Sequence, residues 1–372
     1  MEMKVPFVNY PRQYHHLEKE IDETIKRVLS TGQLILRQDV EDFERSLANY
    51  LGVKYAVGVN SCTDALIFSL RAAGLKAGDE VITVSHTFFA TIEAIVHCGA
   101  TPILVDVGQD FLMDMNELEK TITPKTKAVL PVHLNGRVGD MEKLTAISQK
   151  HNLIIIEDAA QALGATFKGR KAGSFGLGGC FSFYPAKILG AFGDAGAVVT
   201  NDENFAAKIR LLRNHGMKTK TEFVTYGFTS RLDNFQAAIL NVKMNHLNDW
   251  IKRRRQIAGI YNQGLSGIRD LKLPPQSDAD HFDVFQNYVL RAQKRDELFQ
   301  FLKGKGVETL IKDPIPNHLQ PLLKLSHFHL PVSEQLAKEV ISLPMYPELT
   351  DGEIEYVINC VHQFYPVNHA GH

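Results

Sequence analysis

The feature that most constrains this chain is a set of short apolar runs that do not alternate with polar residues. They are YAVGV at 55–59, EVITV at 80–84, TPILVDV at 101–107, KAVLPVHL at 127–134 and LIIIEDA at 153–159. A strand with one wet face alternates apolar and polar residues, whereas a strand buried on both faces reads as continuous. Helix-length segments separate the runs, among them TDALIFSLRAAGL at 63–75 and ATIEAIVHCG at 90–99. Strand–helix–strand repetition predicts an α/β fold, a mostly parallel sheet with helices on both faces. Upstream, residues 12–30 carry an amphipathic helical pattern that Thr31-Gly32 closes, and residues 40–51 a second one. The stretch 234–263 reads as one long helix, with no Gly or Pro before Gly259. Loop-like PPQSDADH (274–281), strand-like VFQNYVLRA (284–292) and helical RDELFQFLKGKG (295–306) follow. The expected division is a large domain over 1–250 and a smaller C-terminal α/β domain over 251–372, with the long helix between them.

Composition narrows the function classes. Lys and Arg total 41 against 42 Asp and Glu, so the chain has no broad cationic surface for nucleic acid or anionic membrane. No apolar run approaches the ~20 residues of a membrane span, and the N-terminus turns polar before a signal-peptide core develops. The four cysteines, Cys62, Cys98, Cys180 and Cys360, are scattered singly. That spacing forms no zinc motif and suits reduced thiols. The expectation is a cytoplasmic protein without a metal.

The chemistry concentrates in IIIEDAAQALGATFKGRKAGSFGLGGCFSFYPAKILGAFGDAGAVVTND. Asp158 ends an apolar strand, where functional groups of open α/β sheets gather. Lys187 lies between aromatic CFSFY and Gly-rich GAFGDAGA. Such surroundings desolvate the lysine and favour a neutral amine, able to form a Schiff base. Taken singly, either residue is more simply a surface cation or a helix cap.

The whole chain resembles the DegT/DnrJ/EryC1/StrS family of pyridoxal-phosphate-dependent sugar aminotransferases. The resemblance is carried by GQLILRQDVEDFE, NSCTDAL, GDEVITVSHTFFAT, PVHLNGRVGDM, IIEDAAQALGA, FSFYPAKILGAFGDAGA, RNHG, SRLDNFQAAIL, TLIKDPIPNHLQP and SLPMYPELTD. It implies the fold-type I aminotransferase architecture, a seven-stranded sheet plus a small C-terminal domain. It also implies pyridoxal 5'-phosphate, cycling through pyridoxamine 5'-phosphate. Lys187 would bond the cofactor and shuttle the proton, and Asp158 would pair with the ring nitrogen. Gln161 would lie near the ring and Phe88 would stack on it, although Phe88 unaided reads as a core aromatic. Ser61, Cys62 and Thr63 open a helix directly after a strand, an arrangement that suits phosphate, and Ser182 would add a hydroxyl. Arg231 would reach the phosphate across a homodimer interface, so the active sites would be shared.

Several positions depart from the family pattern. Cys62 replaces a usual glycine, and Thr229 a usual asparagine. Arg37 stands where glycine is common, Asn135-Gly136-Arg137 replaces Tyr-Gly-Gln, Lys312-Asp313 replaces His-Tyr, and Tyr346 replaces His. Arg37, Arg137 and Lys312 are therefore candidate anchors for a diphosphate or an acidic sugar. His133, Asn135, Tyr184 and His318 complete the candidate substrate set. The function implied is transfer of an amino group, from L-glutamate, to a nucleotide-linked sugar, with C3 of a 3-keto-6-deoxyhexose the best match. Alternatives are amination at C4 or of a keto-cyclitol, and, in a different class, a non-catalytic cofactor-binding regulator. Lys187 argues against the sugar dehydratases of the family, which carry histidine there.

Overall fold

The computed structural model describes residues 3–365. Its centre is a seven-stranded sheet of β1 (Tyr55–Val59), β2 (Glu80–Val84), β3 (Thr101–Val105), β4 (Thr126–Val129), β5 (Ile154–Asp158), β6 (Gly178–Ser182) and β7 (Gly196–Thr200). The spatial order is β1-β7-β6-β5-β4-β2-β3. β7 runs antiparallel to β1 and β6, and the remaining pairs are parallel. Successive strand residues point to opposite faces, and here both faces are buried. Val129, Ile155, Phe181 and Val199 join one core, which includes Phe43 and Leu47 of the helix Gln38–Leu51. Their neighbours Ala128, Ile156, Cys180 and Val198 join a second, with Leu66 and Phe68 of the helix Cys62–Ala72. This is the physical origin of the non-alternating runs.

Two expected elements differ. The run 127–134 stays in the sheet only as far as Val129. Pro131 has no N–H to donate, and beyond it the chain keeps to β5 through single bonds, His133 N–H to the Asp158 carbonyl (2.9 Å) and Asp158 N–H to the Pro131 carbonyl (2.9 Å). The stretch 234–263 is two helices, Asn234–Met244 and Leu247–Leu265. They are divided at Asn245 and His246, residues of modest helix propensity that neither Gly nor Pro announces.

A third core surrounds a small antiparallel sheet of Leu271–Lys272, Tyr288–Ala292 and Val340–Leu343. The helix Leu247–Leu265 crosses between the cores, since Ile251 belongs to the first and Ile257, Ala258 and Tyr261 to the third. The start of the chain belongs here too. Val5 is buried in this core, its N–H donates to the Gly306 carbonyl (3.1 Å) and its carbonyl accepts from Glu308 N–H (2.9 Å).

Candidate active site

The carboxyl ends of β5 and β6 open into a cavity of about 630 Å³, a size suited to a small-molecule ligand. β5 ends in two consecutive carboxylates that strand geometry sends opposite ways. Glu157 turns away from the cavity and is saturated. It accepts from the N–H groups of Gly173 (2.7 Å), Phe175 (2.6 Å) and Gly176 (2.7 Å). It also accepts from His133 Nε2 (2.9 Å), whose Nδ1 in turn accepts from Gly139 N–H (3.3 Å) and so fixes the tautomer. Asp158 lines the cavity. It accepts from the Thr91 hydroxyl (2.8 Å) and Ala160 N–H (3.1 Å). Burial pushes its pKa up, against the pull of those two donors and of Lys187 and His133. The carboxylate is therefore short of positive charge.

Lys187 lines the same cavity, on a turn held by its N–H to the Tyr184 carbonyl (2.8 Å). Burial lowers its pKa, while Cys62 and Asp158 raise it, and burial dominates. The neutral amine is thereby made more accessible. The turn is clamped from the far end of the chain. Gln286 Oε1 accepts from Ile188 N–H (2.9 Å) and Gln286 Nε2 donates to the Ala186 carbonyl (2.8 Å). Next to it, Asn287 Nδ2 donates to Gln161 Oε1 (3.1 Å), which also accepts from Asn135 N–H (3.0 Å).

At the mouth of β1, Ser61 caps the helix Cys62–Ala72. Its hydroxyl accepts from Asp64 N–H (3.1 Å) and its carbonyl from Ala65 N–H (3.0 Å). A helix leaves its first N–H groups without intrahelical partners, so those of Cys62 and Thr63 remain available. Gly196 is forced by this turn, because a Cβ there would lie 2.4 Å from the Ser61 carbonyl carbon and 2.7 Å from Cys62 N. Phe88 is 64% exposed and lines the cavity, not a core.

These groups fit pyridoxal phosphate. An undercharged buried carboxylate suits a protonated ring nitrogen, an exposed ring suits a stacked one, and free helix N-terminal N–H groups with Ser182 suit a phosphate.

The other expected residues divide. Tyr184 and Lys312 line the cavity, and so does His133, although its ring is committed to Glu157. Arg137 is spent elsewhere, on Asp283 (2.7 Å) and Asp278 (3.0 Å), and lies outside the cavity lining. His318 is buried and outside the lining, its Nδ1 sharing a hydrogen bond with the Ser85 hydroxyl (2.8 Å), which accepts from His318 N–H (3.1 Å). Asn135 is outside the lining and acts through Gln161 and Asn287. Arg37 is exposed at the start of the helix Gln38–Leu51, and Arg231 donates to Asn214 Oδ1 (3.2 Å); neither lines this cavity. The sequence reading missed Thr91, Asp194, Gln286 and Asn287, as well as Phe7 and Val8, all in the lining. Thr91 carried one usable signal, its place in the first turn of the helix after β2.

Comparison with known proteins agrees with this geometry. The model of the DegT/DnrJ/EryC1/StrS aminotransferase family matches residues 15–362. The chain is 42% identical to the dTDP-3-amino-3,4,6-trideoxy-alpha-D-glucose transaminase of Streptomyces venezuelae, covering 97% of this chain and 96% of that one. It is also 42% identical to a protein of Geobacillus stearothermophilus named pleiotropic regulatory protein, covering 98% and 99%. Among solved structures, S. venezuelae DesV in complex with a ketimine intermediate superposes with a TM-score of 0.95 at 41% identity, over 98% and 99% of the two chains. The chain therefore belongs to the DegT/DnrJ/EryC1/StrS aminotransferase family and is a pyridoxal-phosphate-dependent transaminase.

Proposed function

We propose that this transaminase moves the amino group of L-glutamate to C3 of a nucleotide-linked 3-keto-6-deoxyhexose, in the biosynthesis of a deoxyamino sugar. The observation that carries the reading is the convergence of Lys187, Asp158 and the Ser61–Thr63 turn on one cavity. The S. venezuelae relative, named for a 3-amino sugar, supports the choice of carbon.

Ser61, Cys62, Thr63 and Ser182 would hold the cofactor phosphate, Phe88 would lie against the ring, and Gln161 would lie beside it. Asp158 would hold the ring nitrogen protonated. When bound, the cofactor supplies the electron sink that makes the donor's α-proton removable. Lys187, kept from its full charge by burial, would move that proton between the donor carbon and a carbon of the cofactor, and would do the reverse for the sugar. Tyr184 and Lys312 would meet the sugar nucleotide, with Lys312 on its diphosphate. Arg37 and Arg231 would act on a partner subunit's cavity. The segment 217–228 supports a homodimer, since it presents Phe223, Val224, Phe228 and a 97% exposed Tyr226. Four free cysteines support a cytoplasmic setting, and among the described residues no helix is long and apolar enough to cross a membrane. We read the chain as a large unit over 1–250 and a small one over 251–372, with the segment at Val5 packed into the core of the small one. The regulatory name of one relative does not displace the enzymatic reading, because a desolvated lysine facing a buried carboxylate has no evident use in a passive regulator.

The test is incubation of holoenzyme with glutamate and a dTDP-linked 3-keto-6-deoxyhexose, with product detected by mass. The aminated sugar is expected from wild type and not from Lys187→Ala. A wild type that deaminates glutamate but aminates no 3-keto sugar would refute the substrate assignment.

A further inference from the structure

A second cavity, of about 750 Å³, shares no lining residue with the first. It lies where the helix Leu247–Leu265, the hairpin of Thr166–Phe167 with Arg170–Lys171, and the end of the helix Gln38–Leu51 meet. Its floor is Ile251, and it carries three cations, Lys171, Lys252 and Arg255, with no Asp or Glu in the lining. In a chain of formal net charge −1, that is a local excess of positive charge.

We propose that this groove binds a diphosphate-bearing anion of nucleotide size. Two of the cations are held in place by aromatic rings. Lys171 Nζ sits 3.4 Å from the Tyr50 ring centroid, and the Arg255 guanidinium 4.0 Å from that of Phe282. Arg255 is further fixed by donating to the Asp283 carbonyl (2.5 Å) and the Ser277 hydroxyl (3.3 Å). These two bonds use only part of the five N–H donors of the guanidinium. Asp278 and Asp283 are engaged by Arg137, Glu142 by Lys168 and Asp351 by Arg253, while Asp280, which makes no ion pair among the described residues, lies outside the lining. Asp249, one turn before Lys252, does not line it. Burial without a carboxylate lowers the Lys171 pKa, and a bound anion would relieve this.

The ligand class follows from chemistry and size. Lys and Arg without carboxylates select phosphate groups. The volume falls within the ~300–1,000 Å³ of small-molecule sites, beyond the need of a single phosphate. Phe282, 41% exposed, offers ring surface to a base.

The experiment is calorimetric titration of holoenzyme with thymidine diphosphate and, separately, with inorganic pyrophosphate. In the double variant Lys171→Gln/Lys252→Gln one binding event should weaken at least about tenfold, the factor that ~1.4 kcal/mol represents. Lys171→Arg/Lys252→Arg should retain it, which controls for folding. The glutamate half-reaction, which needs no diphosphate, should be unchanged in both variants, since neither lysine touches the catalytic cavity. An event seen with both probes assigns recognition to the diphosphate, and one seen only with the nucleotide adds the base; either supports the site. Isotherms of the Gln variant that superpose on those of wild type for both probes would overturn it.

Discussion

Gln286 offers the sharpest test of how the catalytic lysine is held. Replacing it with Leu keeps the approximate volume and removes both bonds to the Lys187 turn. Two main-chain groups, Ile188 N–H and the Ala186 carbonyl, then lose their partners. Leaving a buried polar group unpaired costs about 1–3 kcal/mol. Ala186 borders the cavity, where water can reach its carbonyl, whereas Ile188 is buried. The expected loss of stability is therefore in the lower half of the combined range, ~2–4 kcal/mol. The kinetic effect is larger. A misplacement of ~1 Å costs on the order of a hundredfold in rate, so kcat for the glutamate half-reaction should fall ten- to a hundredfold, as a rough range. Its KM should move little, because Gln286 is not assigned to the donor. Urea unfolding of holoenzyme and single-turnover kinetics measure the two effects separately. Loss of stability with an unchanged single-turnover rate would show that Gln286 only supports the fold. Gln286→Glu is the companion variant: it keeps the acceptor for Ile188 N–H but sets an anion against the Ala186 carbonyl, so it should recover part of the loss.

Three further outcomes can be measured. Burial, with Lys187 nearby, pushes Lys312 down to about 8, Asp313 acting the other way, so its charge is present below that pH and lost above it. KM for the nucleotide sugar should therefore rise through pH 8 in wild type, and Lys312→Gln should show a high KM without this limb; a limb that survives the substitution would exclude Lys312 as its source. Gly196→Ala drives a Cβ into the Ser61–Cys62 backbone, an overpacking worth about 1–3 kcal/mol; spectral titration should show weaker cofactor binding, and unaltered affinity would contradict the proposed phosphate turn. Glu157→Gln places an amide NH₂ among four donors and should destabilise the protein by about 3 kcal/mol or more, read by thermal unfolding of the apoprotein, with Tm unchanged as the contrary result.

Local signals gave the sheet, because burial on both faces is written into each strand separately. Asp158 and Lys187 were legible for a similar reason: a strand end and an aromatic turn are local contexts. What escaped was set by distant partners. Arg137 looks like a free cation until Asp283, 146 residues away, is brought against it. Gln286 and Asn287 read as ordinary strand residues, and only the fold brings them to residues about 100 and 126 positions earlier. Phe88 was ambiguous because an aromatic after a buried strand packs inward in most contexts, whereas here it faces the cavity. The break at Asn245 carries no Gly or Pro.

The N-terminal segment has a consequence for the order in which the enzyme is completed. Residues 4–5 bond to Gly306 and Glu308, and the adjoining Phe7 and Val8 form part of the cavity wall. During synthesis these residues find their partners only when about 300 others have followed, as with Phe7 and Glu308, 301 positions apart. Lys187 and Asp158 are made before Gly306 and Glu308, so the chamber around them closes only after those partners follow. A growing chain thus lacks this part of the wall until residues 306–308 have been made. Bulk added directly ahead of Val5 would stand at that same wall.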